Sequence, residues 1–407
     1  MNGALSHIRV LDLSRILAGP WCTQNLADLG ADVIKVERPD VGDDTRGWGP
    51  PWIKDSAGND TRDSGYYASA NRNKKSVTIN IATPEGQSLV RELAKTADVF
   101  IENYKNGDLK RYNLDYESIR AVNPSIVYCS ITGYGQDGPY AEKPGYDFVF
   151  QGMGGIMSIT GERDDLPGGG PQKVGMALSD IMTGMYATIA ILSALMYRQQ
   201  SGKGQYIDMA LLDCTVAMGS NQALAYLMTG NIPKRFGNAH AAVVPYQPFA
   251  TADGHVIIAV GNDRQWQRYC QVMERPDLAA DERFATASNR IVNREILLPE
   301  IARSMSERTS QHWLECLEAA DVPCGPINNY KQVFENPQVV HRQMYHLVPR
   351  GDGAMVPTLA SPLRLTETPP AYRKAPPALG EHTDDVLTGL LGKTDDEIRD
   401  LRNSKVI

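Results

Sequence analysis

Ile8-Arg9-Val10-Leu11-Asp12-Leu13 and Ala31-Asp32-Val33-Ile34-Lys35-Val36 decide the fold class of this chain. Both runs are apolar and of strand length. The turn-like Leu17-Ala18-Gly19-Pro20 lies between them, followed by Trp21 to Leu29 with helical spacing. That helix is expected to stop at Gly30, a residue suited to the C′ position. Strand, helix, strand in this order predicts a βαβ unit, and such a unit implies a parallel sheet covered by helices.

The same rhythm runs outward. Ser76 to Ile81 reads as a strand, and Thr83-Pro84-Glu85-Gly86 predicts a helix start, with Thr at the N-cap and Pro first in the helix. Further strands are expected over 97–102 and 126–131, which makes the amino-terminal half an open α/β sheet. Residues 204–210 read as a strand and Leu211 to Leu227 as a helix. A smaller α+β region follows from about Asn231 to Tyr330, with a strand over His255 to Val260. Beyond Val356 the prolines at 357, 362, 369, 370, 376 and 377 predict an extended tail. A last helix near 384–391 is expected to return to the first sheet.

Composition narrows the function. Of 407 residues, 42% are hydrophobic and 22% charged, the balance of a globular protein. The net charge of −7 offers no broad attraction to nucleic acid or anionic lipid. The cysteines form no C-x-x-C pair and the histidines no H-x-x-x-H pair, so neither a disulfide framework nor a metal site is indicated. No uncharged apolar run reaches the length of about 18 residues that marks a membrane span. The longest candidate, Ile181 to Met196, is expected to be a buried core helix. Met1 to His7 is too short for a leader before the first strand, so a cytoplasmic protein is expected.

Several residues are candidates for chemistry. Glu37 ends the second strand where a dinucleotide-binding acid would sit, but the first turn holds one glycine and lacks G-x-G-x-x-G. Glu37 is therefore read as a solvated strand end. Basic and planar residues gather at strand ends: Arg15, Arg38, Arg72, Lys74, Lys75, Asn103, Tyr104, Lys110, Arg111 and Tyr112. They suit a ligand with phosphate and adenine, or they are solvated loop charges; the residues alone leave both readings open. Asp180 stands at the start of a long apolar helix, where it is either an N-cap or a poorly solvated carboxylate able to attack a carbonyl. Cys22 and Cys129 lie in apolar contexts and are read as packing residues. Gly168-Gly169-Gly170 is read as a surface loop, and His240 as a loop histidine within reach of a substrate carboxylate.

Together the motifs resemble the class III CoA-transferase family, over essentially the whole chain. The resemblance rests on Val10-Leu11-Asp12 through Ala18-Gly19-Pro20, residues 30–37, Gly42-Asp43-Asp44-Thr45-Arg46 and Asn73-Lys74-Lys75-Ser76. It continues in Glu102-Asn103-Tyr104, residues 131–135, Ser179-Asp180, Gly202-Lys203-Gly204-Gln205 and residues 322–326. It implies an interlocked ring-like homodimer with a large Rossmann-like CoA-binding domain over 1–205. A linker over 206–230, a small α+β domain over 231–330 and a returning tail over 331–407 complete the implied layout. It also implies that Asp180 is the catalytic carboxylate. The CoA-binding positions it implies are Ile16, Leu17, Ala18, Arg38, Arg72, Lys75, Asn103, Tyr104, Arg111 and Tyr112. Coenzyme A would be substrate and covalent intermediate, with no permanently bound cofactor and no metal.

Two places narrow the choice within that resemblance. Arg235-Phe236-Gly237-Asn238-Ala239-His240 lacks the glycine run of formyl-CoA transferases and resembles the succinyl-CoA:glutarate branch. Arg235 and His240 become candidates for gripping the far carboxylate of a dicarboxylic acid, with Tyr146 as a third substrate contact. The rival is an α-methylacyl-CoA racemase, which is similar in fold but carries histidine where Pro144-Gly145-Tyr146-Asp147 has tyrosine. With a pKa of about 10, tyrosine is a poor general base at neutral pH.

Overall fold

The computed structural model describes residues 3–407. The chain divides into two compact units. One takes the chain up to Ile156, Val174–Leu224 and Gln338–Ile407; the other takes Met157–Lys173 and Ala225–Pro337.

In the first unit, β1 (Arg9–Asp12), α1 (Ala18–Asp28) and β2 (Asp32–Glu37) realise the expected βαβ unit. A short hairpin of β3 (Trp52–Lys54) and β4 (Asp60–Ser64) leads to α2 (Gly65–Ser69). Then come β5 (Lys74–Thr78), α3 (Pro84–Lys95), β6 (Val99–Glu102), α4 (Tyr116–Val122) and β7 (Val127–Thr132). The Thr83 hydroxyl accepts the Gly86 N–H and Pro84 opens α3, as the residues predict. After α5 (Asp147–Met153) and α6 (Ile156–Ile159), α7 (Leu178–Ser201) feeds β8 (Tyr206–Ala210). The helix expected over 211–227 is two, α8 (Leu211–Ala217) and α9 (Ser220–Thr229). Ser220, the first residue of α9, has φ of 43°, a left-handed conformation that no continuous helix contains.

Six strands form one parallel sheet in the order β5-β2-β1-β6-β7-β8. Alternate residues of each strand face opposite cores. Leu11, Ile34, Val77, Phe100 and Tyr128 pack on one face; Val10, Val33, Val99 and Cys129 pack on the other, with α1 and α7. The order reverses between β1 and β6, and in open α/β sheets such a switch point opens a crevice outside the carboxyl ends of the strands.

The second unit holds an antiparallel sheet of β9 (Tyr246–Ala250), β10 (His255–Ala259) and β11 (Cys324–Pro326), with β10 central. Its helices are α10 (Asp263–Val272), α11 (Pro276–Ala280), α12 (Ala287–Val292), α13 (Arg294–Met305), α14 (Ser310–Ala319) and α15 (Tyr330–Glu335). Trp266, Tyr269, Leu297 and Trp313 form its core.

After α16 (Pro337–His341), β12 (Tyr345–Pro349) pairs with β13 (Met355–Leu359). The proline-rich stretch then runs to residue 382 without helix or strand. It docks through Asn73, whose N–H donates to the Lys374 carbonyl. α17 (Thr383–Leu391) does return to the sheet: the Thr383 hydroxyl accepts the Thr78 N–H, and Val386 and Leu387 join the core with Leu11. α18 (Asp395–Asn403) was not foreseen, although Thr394 and Glu397 form a capping box at its start.

The expectation of a buried helix over 181–196 holds for one face of α7. Ala187, Ile191 and Ala194 are buried, whereas Tyr186, Ile189, Met196 and Tyr197 are exposed. By length and composition α7 alone among the described residues could cross a membrane.

Candidate active site

The turn after β1 is pinned atom by atom. Asp12 accepts hydrogen bonds from the Ser14 N–H (2.8 Å) and hydroxyl (2.5 Å), and the Lys35 ammonium donates to the Ser14 carbonyl at 2.7 Å. Arg15 is clamped by the Asn103 carboxamide, which accepts its N–H at 2.8 Å and donates to its carbonyl at 2.7 Å. The Ile16 N–H donates to Asp43 at 3.2 Å, and Ile16 has φ of +72°. A β-branched residue in that region is strained and persists only where its surroundings over-determine it. The next residues, Leu17 and Ala18, enter α1, which no side chain caps.

Asp180 is the third residue of α7, not its N-cap; Ala177 takes the cap position. Its side chain is only 8% exposed. No hydrogen bond reaches its carboxylate oxygens from the described residues. Its backbone N–H donates to Asp147 at 3.2 Å, and Asp147 is itself held by the Gln151 amide at 2.7 Å. Burial, and then the charge of Asp147, push the Asp180 carboxyl up to about 7. Gly184, one turn on, has no room for a side chain, because a Cβ there would stand 2.6 Å from the Ala18 carbonyl oxygen. The close approach of α1 to α7 brings the pinned turn beside Asp180.

A cavity of about 180 Å³ opens at this junction. Ile16, Leu17 and Ala18 line it from the first loop and Asn103 and Tyr104 from the second, with Tyr146 and Asp180. A neighbouring cavity of about 370 Å³ holds Arg38, Arg111 and Tyr112. Arg15 and Tyr104 line both, so the two cavities share a wall. The second also takes Ile79 to Ala82, which the sequence reading did not single out; they leave β5 with no charged or aromatic side chain to mark them.

A model described as CoA-transferase family III matches residues 5–383. The chain belongs to that family. It is 47% identical over 386 residues to the succinate–glutarate CoA-transferase of Agrobacterium fabrum, covering 95% of each chain. It is 40% identical to the human succinyl-CoA:glutarate CoA-transferase, covering 99% of this chain and 90% of the relative. It is also 40% identical to the succinyl-CoA:mesaconate CoA-transferase of Haloarcula marismortui, over 95% of this chain and 96% of that one. Among solved structures, a CAIB/BAIF family protein from Brucella suis superimposes with a TM-score of 0.85 at 47% identity. That match covers 96% of this chain and 100% of the other. The protein is thus an enzyme that moves coenzyme A from an acyl-CoA to a carboxylic acid.

Not every expected residue of this CoA-transferase lies at the two cavities. Arg72 is buried against Asp28, to which it donates from Nε (2.9 Å) and Nη2 (2.5 Å). Lys75 pairs with Asp32 at 2.5 Å. Neither lines these cavities; opposite charges on adjoining elements hold both. Lys74 is also internal, paired with Asp12 at 3.3 Å, and burial draws its ammonium down to about 8. Glu37 is not a solvated strand end. It is buried and bonded to the Arg46 guanidinium at 2.7 and 2.8 Å, and Arg46 also pairs with Asp63. Charge spacing in sequence does not reveal such pairs, because their partners come from distant segments. The thiols of Cys22 and Cys129 are buried, and burial pushes Cys22 up to about 12, so neither is a nucleophile.

In the second unit, Arg235 pairs with Asp164 and donates to the Ser158 carbonyl at 3.0 Å. Its guanidinium is thus engaged, which weakens its case as a carboxylate grip. His240 accepts the Ala242 N–H at Nδ1 (3.0 Å), which leaves Nε2 to carry the proton of the neutral ring. The Arg294 guanidinium donates to the His240 carbonyl at 2.8 Å and holds that loop. Tyr66 is a further residue that the sequence reading missed. Burial, and then the charge of Asp180, raise its phenol to about 12, so it stays a neutral hydroxyl at neutral pH.

Proposed function

We propose that this enzyme transfers coenzyme A from succinyl-CoA to a short dicarboxylic acid, with Asp180 as the covalent carboxylate. One observation carries the assignment of Asp180: a nine-tenths buried carboxylate without a hydrogen-bond partner among the described residues lines the cavity at the switch point of the sheet. A carboxylate stripped of water in this way is a stronger nucleophile toward a thioester carbonyl. A carboxylate oxygen of Asp180 adds to that carbonyl, and loss of the C–S bond yields a mixed anhydride and CoA thiolate. The thiolate then attacks the aspartyl carbonyl and expels the donor acid, leaving CoA as a β-aspartyl thioester. The acceptor carboxylate reverses both steps. Each activated bond is exchanged for another, so the scheme consumes no ATP.

Arg38, Arg111 and Tyr112 would hold the phosphate and adenine end in the larger cavity, with the thioester reaching Asp180 past Tyr104. The dicarboxylate preference rests on the relatives that act on glutarate and mesaconate. His240 stands as a candidate for the far carboxylate on the resemblance of residues 235–240 to the succinyl-CoA:glutarate branch. An interlocked homodimer is supported by the exposed apolar face of α7, since a stripe of Tyr186, Ile189, Met196 and Tyr197 is unusual on a free surface. Light scattering should give twice the chain mass, and a monomer would exclude the dimer.

The testing experiment incubates the enzyme with succinyl-CoA and a panel of mono- and dicarboxylates, reading new CoA esters by mass. Dicarboxylates should accept CoA, and with succinyl-CoA alone a CoA adduct should sit on the peptide containing Asp180 and vanish in Asp180→Ala. His240→Ala should lower kcat/KM for dicarboxylates by about 10-fold, the scale of one lost charge-assisted bond. Exchange of an α-proton without CoA transfer would favour a racemase instead.

A further inference from the structure

The turn Ser14–Leu17 holds more fixings than a connection between strand and helix needs. Ser14 is fixed by Asp12 and Lys35, Arg15 by both ends of the Asn103 carboxamide, and Ile16 by Asp43, which in turn pairs with Lys35 at 2.9 Å. The product of these fixings is a strained Ile16 followed at once by the uncapped start of α1, in the cavity that Asp180 lines. The first amides of a helix have no partner within it and carry its partial positive charge. In the same cavity stands a nine-tenths buried carboxylate that receives no hydrogen bond from the described residues, so a nucleophile and the start of a helix that no side chain caps are brought together.

We propose that Asn103 is a positioning residue. Through its two bonds to Arg15, it aims the N-terminal amides of α1 at the oxygen that turns negative when Asp180 adds to the thioester carbonyl. This rests on the assignment of Asp180 above. As Asp180 forms its C–O bond, the carbonyl π electrons move onto that oxygen. They return when the C–S bond breaks and CoA leaves as thiolate, and the amides lose no proton. Preorganised donors of this kind stabilise the transition state more than the bound substrate, so misplacing them lowers the rate and spares binding. Asn103 thus acts through the backbone of Arg15, whereas a CoA contact would act on affinity.

The test is single-turnover formation of the CoA adduct on Asp180, followed by quenched-flow mass spectrometry in the wild type and in Asn103→Ala. The maximal rate should fall about 10–100-fold in the variant, while the half-saturating succinyl-CoA concentration stays within about threefold. An unchanged maximal rate, or a loss restored by raising succinyl-CoA, would overturn the positioning role while leaving Asp180 as nucleophile. If the wild type forms no adduct at Asp180, the functional reading falls and this inference falls with it.

Discussion

Asp180 sets activity and stability against each other. Its carboxyl titrates at about 7 in the folded protein against 3.8 for an ordinary aspartate, first because it is buried and second because Asp147 is near. The nucleophile is the ionised form, so kcat/KM should rise with pH through an acid limb near 7 and flatten above it. Stability runs the other way. Below 3.8 the group is neutral in both states; between 3.8 and 7 the folded chain keeps a proton that the unfolded chain has lost. Stability from this group therefore falls as pH rises through that window and levels off above it. Asp180→Asn, which cannot ionise, should be inactive yet about 2–4 kcal/mol more stable than the wild type at pH 8, with the difference gone at pH 3. Denaturant melts at the two pH values check this. Equal stabilities at pH 8 would mean that the carboxylate is well solvated and that the cavity is not its desolvating wall.

At the scale of elements, what the sequence reveals depends on where the partner lies. The βαβ unit, the Thr83-Pro84 start of α3 and the return of α17 are readable because their signals are local: periodicity, caps and turn residues. The single helix expected over 211–227 fails at Ser220, where apolar periodicity continues across a break in the backbone. Asp180 is legible only as a carboxylate near a helix start. Its real position three residues in, with the cap at Ala177, cannot be read from a helix whose first turn carries no capping side chain. Arg72, Lys75 and Glu37 show the other limit. Each has the residue type of a ligand contact, and each is also paired with a partner from another element, which its own segment does not reveal: Asp28, Asp32 and Arg46. Tyr66 escapes notice for the opposite reason, since a tyrosine in a five-residue helix carries no signal until its burial and the charge of Asp180 acting on its phenol are known.

At the scale of the whole molecule, the carboxyl terminus is part of the first core. The Asn80 N–H donates to the Val406 carbonyl at 2.7 Å, and the His382 N–H donates to the Ser76 carbonyl at 2.9 Å, so the tail is stitched along β5. Val386, Leu387, Ile398, Val406 and Ile407 are buried with Leu11, Ile34 and Val77 on one face of the parallel sheet. Each such side chain contributes about 1.5–3 kcal/mol when fully buried, so five together stand for about 8–15 kcal/mol. That matches the entire net stability of a typical domain, about 5–15 kcal/mol. A parallel sheet also needs helices over both faces, and without α17 and α18 part of one face would meet water. A chain ending at His382 should therefore fail to fold, giving aggregated product or a spectrum without a cooperative thermal transition. By contrast, Ile407→Ala, which trims one of these five buried side chains, should melt cooperatively and cost about 1–3 kcal/mol. A truncated chain that melts like the full-length protein would show that the sheet is closed by its amino-terminal helices alone, and that the tail rests on a core already complete.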